Sequence, residues 1–294
     1  MNKKGVFSKI VLFLVIISLF SVFFGENEAF CAKRRAKNSD KSVVPSLKYS
    51  RVVSLKPNIT QILQSLGASD QVVGITKFCP KPNAQAEVVA DYNSINLEAL
   101  LRLKPDLIIL SSENSQSRQF HALKQAKIPM LLVEFRSFSE FLQSYVKIGE
   151  ELGLKDVAED KAAFFKGIIA QLREFSQKNW SSSPRFAMIV QRHPLMVASG
   201  QTYVGSLFAQ IGWRNAFESN QIPYPVLDEE ELIREPTDFV FELVHAESGE
   251  FKAAFLNKKV IALPIQSFLA SPQSLLYIQS LLVHLTQGTS PLEH

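Results

Sequence analysis

Two stretches in which short apolar runs alternate with helix-period segments flank one long uninterrupted helical segment, and this layout constrains the fold of the chain most. In the first stretch Arg51–Leu55, Val72–Ile75, Asp106–Leu110 and Met130–Val133 read as buried strands. Between them Ile59–Leu66, Asn96–Leu103 and Phe120–Ala126 read as helices. Pro57 and Asn58 read as a break, Asn58 or Thr60 as a helix cap, and Gly67 as a helix end. A helix over Ser139–Leu152 follows, then one from Asp156 to about Lys178 with no proline and Gly167 as its one glycine. Val157, Phe164, Phe165, Ile168, Ile169, Leu172 and Phe175 recur there near helical spacing. Such a helix reaches about 34 Å, roughly the width of a lobe.

After a loop at Trp180–Pro184 the alternation resumes. Phe186–Val190, Phe239–Leu243 and Val260–Leu263 read as strands; Tyr203–Ile211, Glu229–Arg234 and Gln273–Leu285 read as helices. Alternation of this kind implies parallel sheets covered on both faces. The expected class is therefore α/β, with a lobe over 50–153, a linking helix over 154–180 and a second lobe over 184–286. The halves share no obvious sequence repeat, but they echo each other in layout. Glu98 and Glu230 each sit near the start of a helix that leads through a proline-containing turn into an apolar strand, in LKPDLIIL and REPTDFVFEL.

The amino terminus reads as an export signal over residues 1–32. Lys3, Lys4 and Lys9 precede the uncharged run Ile10–Phe24, which spans about 22 Å as a helix, short of the roughly 30 Å of bilayer hydrocarbon. Ala29-Phe30-Cys31 allows a cut that leaves Ala32 first. The bulk of Phe30 opposes lipidation of Cys31, so the expected product is released rather than anchored. Residues 33–49, with Lys33, Arg34, Arg35 and Lys37, read as a disordered tether. The formal charge is +4 and three of the signal's lysines contribute to it; no basic stripe interleaved with aromatics suggests nucleic acid.

Motifs that would carry catalysis are missing: no GxSxG, GxxxxGK[ST], HExxH or CxxC occurs. The histidines at 121, 193, 245, 284 and 294 are scattered, and nothing in their spacing suggests a resident metal. A cut after Cys31 leaves Cys79 as the one thiol. A binding protein is expected, without catalytic residues or cofactor, and an exported enzyme is the competing class.

Four segments carry a resemblance: RVVSLKPNITQILQSLGASDQVVGITKFCPKP, VADYNSINLEALLRLKPDLIIL, IPYPVLDEEELIREPTDFV and SPQSLLYIQSLLVHL. Over nearly all of 50–286 the chain resembles the helical-backbone (class III) periplasmic binding proteins that serve ABC importers of vitamin B12, haem and ferric siderophores. The resemblance implies two Rossmann-like lobes joined by one stiff helix, a ligand cleft between them, and small closure on binding. It implies a monomer confined to a periplasm, which delivers a cobalamin-like corrinoid or a ferric-siderophore chelate to membrane permease subunits. Glu98 and Glu230 match the family's permease-docking carboxylates, which pair with arginines of the membrane subunits.

The same motifs place Phe78, Tyr92 and Tyr224 as aromatic ligand contacts, suited to a flat macrocycle or aryl-rich chelate. Ser111 stands where vitamin B12 binders carry a tryptophan, and Ser267 and Phe268 stand near their late Asp-Trp pair. Arg192 and His193 follow the first strand of the second lobe and would face the cleft, the arginine toward a ligand carboxylate. A haem carrier of the same fold is the alternative, with Tyr92 and His193 as axial ligands.

Overall fold

In a parallel sheet every strand is followed by a crossover, so strands with apolar residues on both faces must lie at its centre. That rule organises the computed structural model, which describes residues 48–91, 94–114, 118–244, 254–255 and 258–288. The expected signal and most of the expected tether lie outside the described residues.

The first lobe runs β1 (Val52–Ser54), α1 (Pro57–Ser65), β2 (Val72–Thr76), β3 (Glu87–Ala90), α2 (Leu97–Arg102), β4 (Leu107–Ser111), α3 (Arg118–Gln125), β5 (Met130–Val133) and α4 (Phe138–Glu151). Its sheet has the order β3-β2-β1-β4-β5, and all neighbours are parallel. The central strands β1 and β4 are buried along their whole length.

A single helix, α5 (Lys155–Asn179), then leads to the second lobe. Its 25 residues reach about 37 Å. The second lobe runs β6 (Arg185–Gln191), β7 (Met196–Val197), α6 (Tyr203–Gln210), β8 (Arg214–Asn215), α7 (Glu229–Arg234), β9 (Phe239–Val244), β10 (Ala254–Phe255), β11 (Lys258–Pro264) and α8 (Pro272–Gln287). Its sheet keeps a parallel centre, β8-β6-β9-β11, to which β7 and β10 add antiparallel edges.

The linking helix holds both lobes. Near its start Lys161 Nζ donates to the Ser65 carbonyl at 2.6 Å, and Phe165 meets Tyr145 edge to face at 5.2 Å. Near its end Ser176 Oγ accepts from Trp213 Nε1 at 2.9 Å, deep in the aromatic core of the second lobe. The lobes also touch directly: Phe138 N donates to Ser206 Oγ at 3.1 Å, and Phe141 meets the Tyr203 ring at 5.9 Å.

Local chemistry explains the boundaries. Asn96, Ser137 and Thr202 side chains accept from the backbone N–H three residues on, and so start α2, α4 and α6. The expected break at Pro57 is instead the first residue of α1, where a missing N–H costs nothing. Neither Asn58 nor Thr60 caps that helix; Lys56 occupies the N-cap, and the Thr60 hydroxyl lies 2.7 Å from Ser54 Oγ. Gly67 and Gly212 follow α1 and α6 with φ of +76° and +89°, a conformation that opposes any side chain and turns both chains back toward the sheet.

Candidate functional site

Ligands on open α/β sheets bind beyond the carboxyl ends of the strands, where the strand order reverses. Here each sheet has one such switch point: between β1 and β4 in the first lobe, and between β6 and β9 in the second. Both are bridged by an ion pair. Lys56, just past β1, pairs with Glu113, just past β4. Arg192, just past β6, pairs with Glu242 on β9, with Nε 2.8 Å from Oε1 and Nη2 bound to Oε2.

The two bridges differ in environment. The Lys56 and Glu113 side chains are 29% and 53% exposed, and those of Arg192 and Glu242 15% and 13%. The Arg192 guanidinium also lies 4.7 Å from the centre of the Phe255 ring. Arg192 was expected to offer its charge to a ligand carboxylate; the structure instead commits it to a bidentate protein partner, which fixes the turn after β6. The signal for this partner was present in the sequence. Glu242 interrupts an apolar strand, and a carboxylate there requires a bound cation to offset its lost hydration.

The remaining expected ligand residues fall in different places. Phe78 is 55% exposed on the turn after β2, where Lys77 N donates to the Ala90 carbonyl and Cys79 N to that of Thr76. His193 is exposed on the turn after β6, and its carbonyl accepts from Gln191 Nε2 at 2.7 Å. Both therefore stand at strand carboxyl ends, one on each lobe. Tyr92 lies outside the described residues. Tyr224 is exposed on a segment that runs beside β7, where the Pro223 and Pro225 carbonyls accept from Ser199 N and Val197 N. It thus sits on the sheet's edge opposite Ala198, just past β7 and level with the body of β6 rather than beyond the carboxyl end of β6.

Ser267 is half-buried in a short turn of helix after β11. Phe268, expected at the ligand, is corrected to a core residue: it is buried, stacked on Phe208 at 6.1 Å and edge-on to Tyr277 at 5.3 Å. A buried phenyl ring carries no polar atom to satisfy and removes a large apolar area from water. Ser111 is buried at the end of β4, and its hydroxyl accepts from Glu113 N at 3.4 Å.

Just past the carboxyl end of β11, the amino-terminal part of α8 holds polar atoms without a partner among the described residues: Ser271 Oγ, Gln273 Oε1 and Tyr277 Oη. Burial pushes the Tyr277 phenol up to about 12, so it stays a neutral donor at any ordinary pH. Sequence reasoning missed these groups because each lies in an otherwise ordinary amphipathic helix. Among the described residues no group of three or more His, Cys, Asp or Glu could hold a metal ion, and no helix is long and apolar enough to cross a membrane.

The two docking candidates occupy matching helix positions. Glu98 is exposed in the first turn of α2, the second residue after its N-cap Asn96. Glu230 is exposed in the first turn of α7, the second residue after its N-cap Asp228. Its neighbour Glu231 turns back to accept from Asp228 N at 2.9 Å, closing a capping box, while Glu230 pairs with Arg234 at 2.6 Å. Glu229, Glu230 and Glu231 are all exposed, and Glu230 is the one that matches Glu98 in position after the N-cap.

Comparison with known proteins places this geometry in a family. The sequence profile described as periplasmic binding protein matches residues 52–262. The chain is similar to the vitamin B12-binding protein of Yersinia pestis (strain Pestoides F), 25% identical over 256 residues, covering 85% of this chain and 91% of that one. Among solved structures it is similar in fold to the periplasmic vitamin B12 binding protein of Vibrio cholerae, with a TM-score of 0.67, 22% identity and coverage of 81% and 98%. It is likewise similar to the periplasmic haem binding protein of Vibrio cholerae, with a TM-score of 0.70, 19% identity and coverage of 80% and 98%.

Proposed function

The chain belongs to the periplasmic binding protein family, and from that premise we propose that it captures a cobalamin-like corrinoid or a ferric-siderophore chelate between its lobes and delivers it to the inner-membrane permease of an ABC importer. The observation that carries the reading is the pairing of Phe78 and His193, exposed on loops at the carboxyl ends of β2 and β6, with a relative that binds vitamin B12. An aromatic face on one lobe and an imidazole on the other suit a planar, metal-centred ligand. Export by a cleaved signal would place the protein in the periplasm, where it works as a monomer.

Calorimetry with cyanocobalamin and with ferric hydroxamates tests the ligand class. Saturable heat with one of them is expected, weakened about tenfold by Phe78→Ala through loss of one stacked ring. Absence of heat with both ends the reading. The second reading, a haem carrier, draws on exposed His193 and on the fold shared with a haem binder. It requires a Soret band on addition of haem that disappears in Tyr92→Phe.

Docking on the permease falls to Glu98 and Glu230. Charge reversal at both, Glu98→Arg with Glu230→Arg, should abolish stimulation of the importer's ATPase and leave ligand affinity unchanged. Unchanged stimulation removes both residues from docking.

A further inference from the structure

The helices that carry Glu98 and Glu230 repeat more than the glutamate. Counted from the N-caps Asn96 and Asp228, the fourth residue is a fully buried leucine, Leu100 or Leu232. The sixth is an arginine, Arg102 or Arg234, and the tenth an aspartate, Asp106 or Asp238, that ties the turn after the helix to the start of the lobe's first strand. The buried leucine fixes the rotation of each helix, so the outward face is determined. On that face the fifth residue is a large aliphatic side chain left in water: Leu101, 42% exposed, and Ile233, 50% exposed. Each lies three residues after the glutamate, hence on the same side of the helix one turn along.

A single exposed leucine or isoleucine on a protein surface has no meaning by itself. Recurrence does: two lobes without obvious sequence repeat place the same pair, carboxylate then branched aliphatic, at the same two helical positions. Resting on the docking reading above, we propose that Leu101 and Ile233 are docking residues in their own right. Each would enter an apolar socket beside the cation that pairs with Glu98 or Glu230, on a membrane-subunit dimer that presents the same socket twice by its two-fold symmetry. Interfaces gain most from side chains that are desolvated at their centre, while rim charges chiefly steer and orient. The aliphatic pair then supplies holding strength and the glutamates supply register.

The lobes differ in one respect that makes the division visible. Glu230 already shares its charge with Arg234 along α7, whereas on α2 the equivalent Arg102 pairs with Glu87, at 3.0 Å, and leaves Glu98 to an external cation. The first contact is therefore the more electrostatic and the second the more apolar.

The test uses the importer isolated from inner membranes of the source cell with the wild-type chain as bait, identified by its ATP-hydrolysing subunits and reconstituted in lipid nanodiscs. Binding of full-length variants is measured from low to high salt. Leu101→Asn with Ile233→Asn should weaken binding about tenfold or more with the salt slope unchanged. Glu98→Gln should flatten the salt slope more than Glu230→Gln. Both aliphatic sites are solvent-exposed, and an unaltered melting curve with unaltered ligand affinity verifies that each variant folds. If the aliphatic double variant binds within twofold of wild type while the glutamate variants lose binding, the aliphatic role is overturned and the glutamate docking stands. If neither set weakens binding, or the bait retains no such complex, both are overturned.

Discussion

The two lobes solve one construction problem with different chemistry. Each begins with an arginine and an aspartate that staple the first strand to the turn before its central neighbour. In the first lobe Asp106 accepts from Ser50 N and Arg51 N, at 2.8 and 2.9 Å, and Arg51 Nε donates to the Leu103 carbonyl at 2.7 Å. In the second, Asp238 accepts from Arg185 N at 2.7 Å, and Arg185 Nε donates to the Pro236 carbonyl at 3.0 Å. At the opposite, carboxyl ends of the same strands the resemblance stops. The first lobe closes its switch point with an exposed lysine pair, the second with a mostly buried bidentate arginine pair beside an extra hairpin, β6–β7. The amino ends of the central strands are kept alike; the lobes diverge at the carboxyl ends.

The largest effect that would break this comparison is expected at Glu242. Removing one partner of a buried pair leaves the other unpaired, so Glu242→Gln should cost about 3 kcal/mol in a urea titration. The double change Arg192→Met with Glu242→Leu should recover most of the loss, because a packed apolar pair carries no desolvation penalty. A single variant within about 0.5 kcal/mol of wild type would show that water compensates the site, and the contrast between the lobes would vanish.

How far this was legible in the sequence depends on what each element rests on. Strands such as Met130–Val133 and the six-residue helix Glu229–Arg234 could be read to the residue, since their apolar pattern is continuous and their ends carry caps. The strands β3, β7, β8 and β10 were not expected. Three of them are two residues long, and Glu87–Ala90 has only one buried half. Such edges exist because a neighbouring strand offers free backbone groups, which is a tertiary fact without a local pattern. The site divides in the same way. Glu98 and Glu230 follow from helix position, whereas Arg192 can be placed on its turn and Glu242 marked as a carboxylate in need of a cation, but their pairing across fifty residues has no local signal.

A smaller effect is expected at the first lobe's staple as the pH falls. Desolvation raises the Asp106 carboxyl, but the hydrogen bonds from Ser50 and Arg51 together outweigh it and hold the group below the ordinary aspartate range. A depressed folded-state pKa stabilises the fold above the unfolded value near 4 and loses that contribution as pH falls through the folded value. Wild-type stability should therefore fall in that acidic window, and Asp106→Asn should flatten the fall at a cost of about 1–2 kcal/mol at neutral pH. Asp238→Asn, read by the same acid titration, tests whether the second lobe shares the behaviour. An equal flattening would extend the likeness of the lobes to their electrostatics.

The smallest effect is expected at Lys56 and Glu113, and it is the one that sharpens the comparison most. The pair is short but exposed, so solvent screens it and two flexible side chains are held for little gain. Glu113→Gln should change stability by less than about 1 kcal/mol, several-fold less than Glu242→Gln at the equivalent place. Its effect should appear in ligand binding instead. An exposed lysine loosely tied at a switch point can be released to an incoming anionic group at small cost, while the buried arginine cannot. Glu113→Gln should then raise the affinity for a negatively charged chelate and leave that for a neutral corrinoid unchanged. Equal affinities for both ligand classes before and after the change would show that the first lobe's bridge is as closed to ligand as the second's.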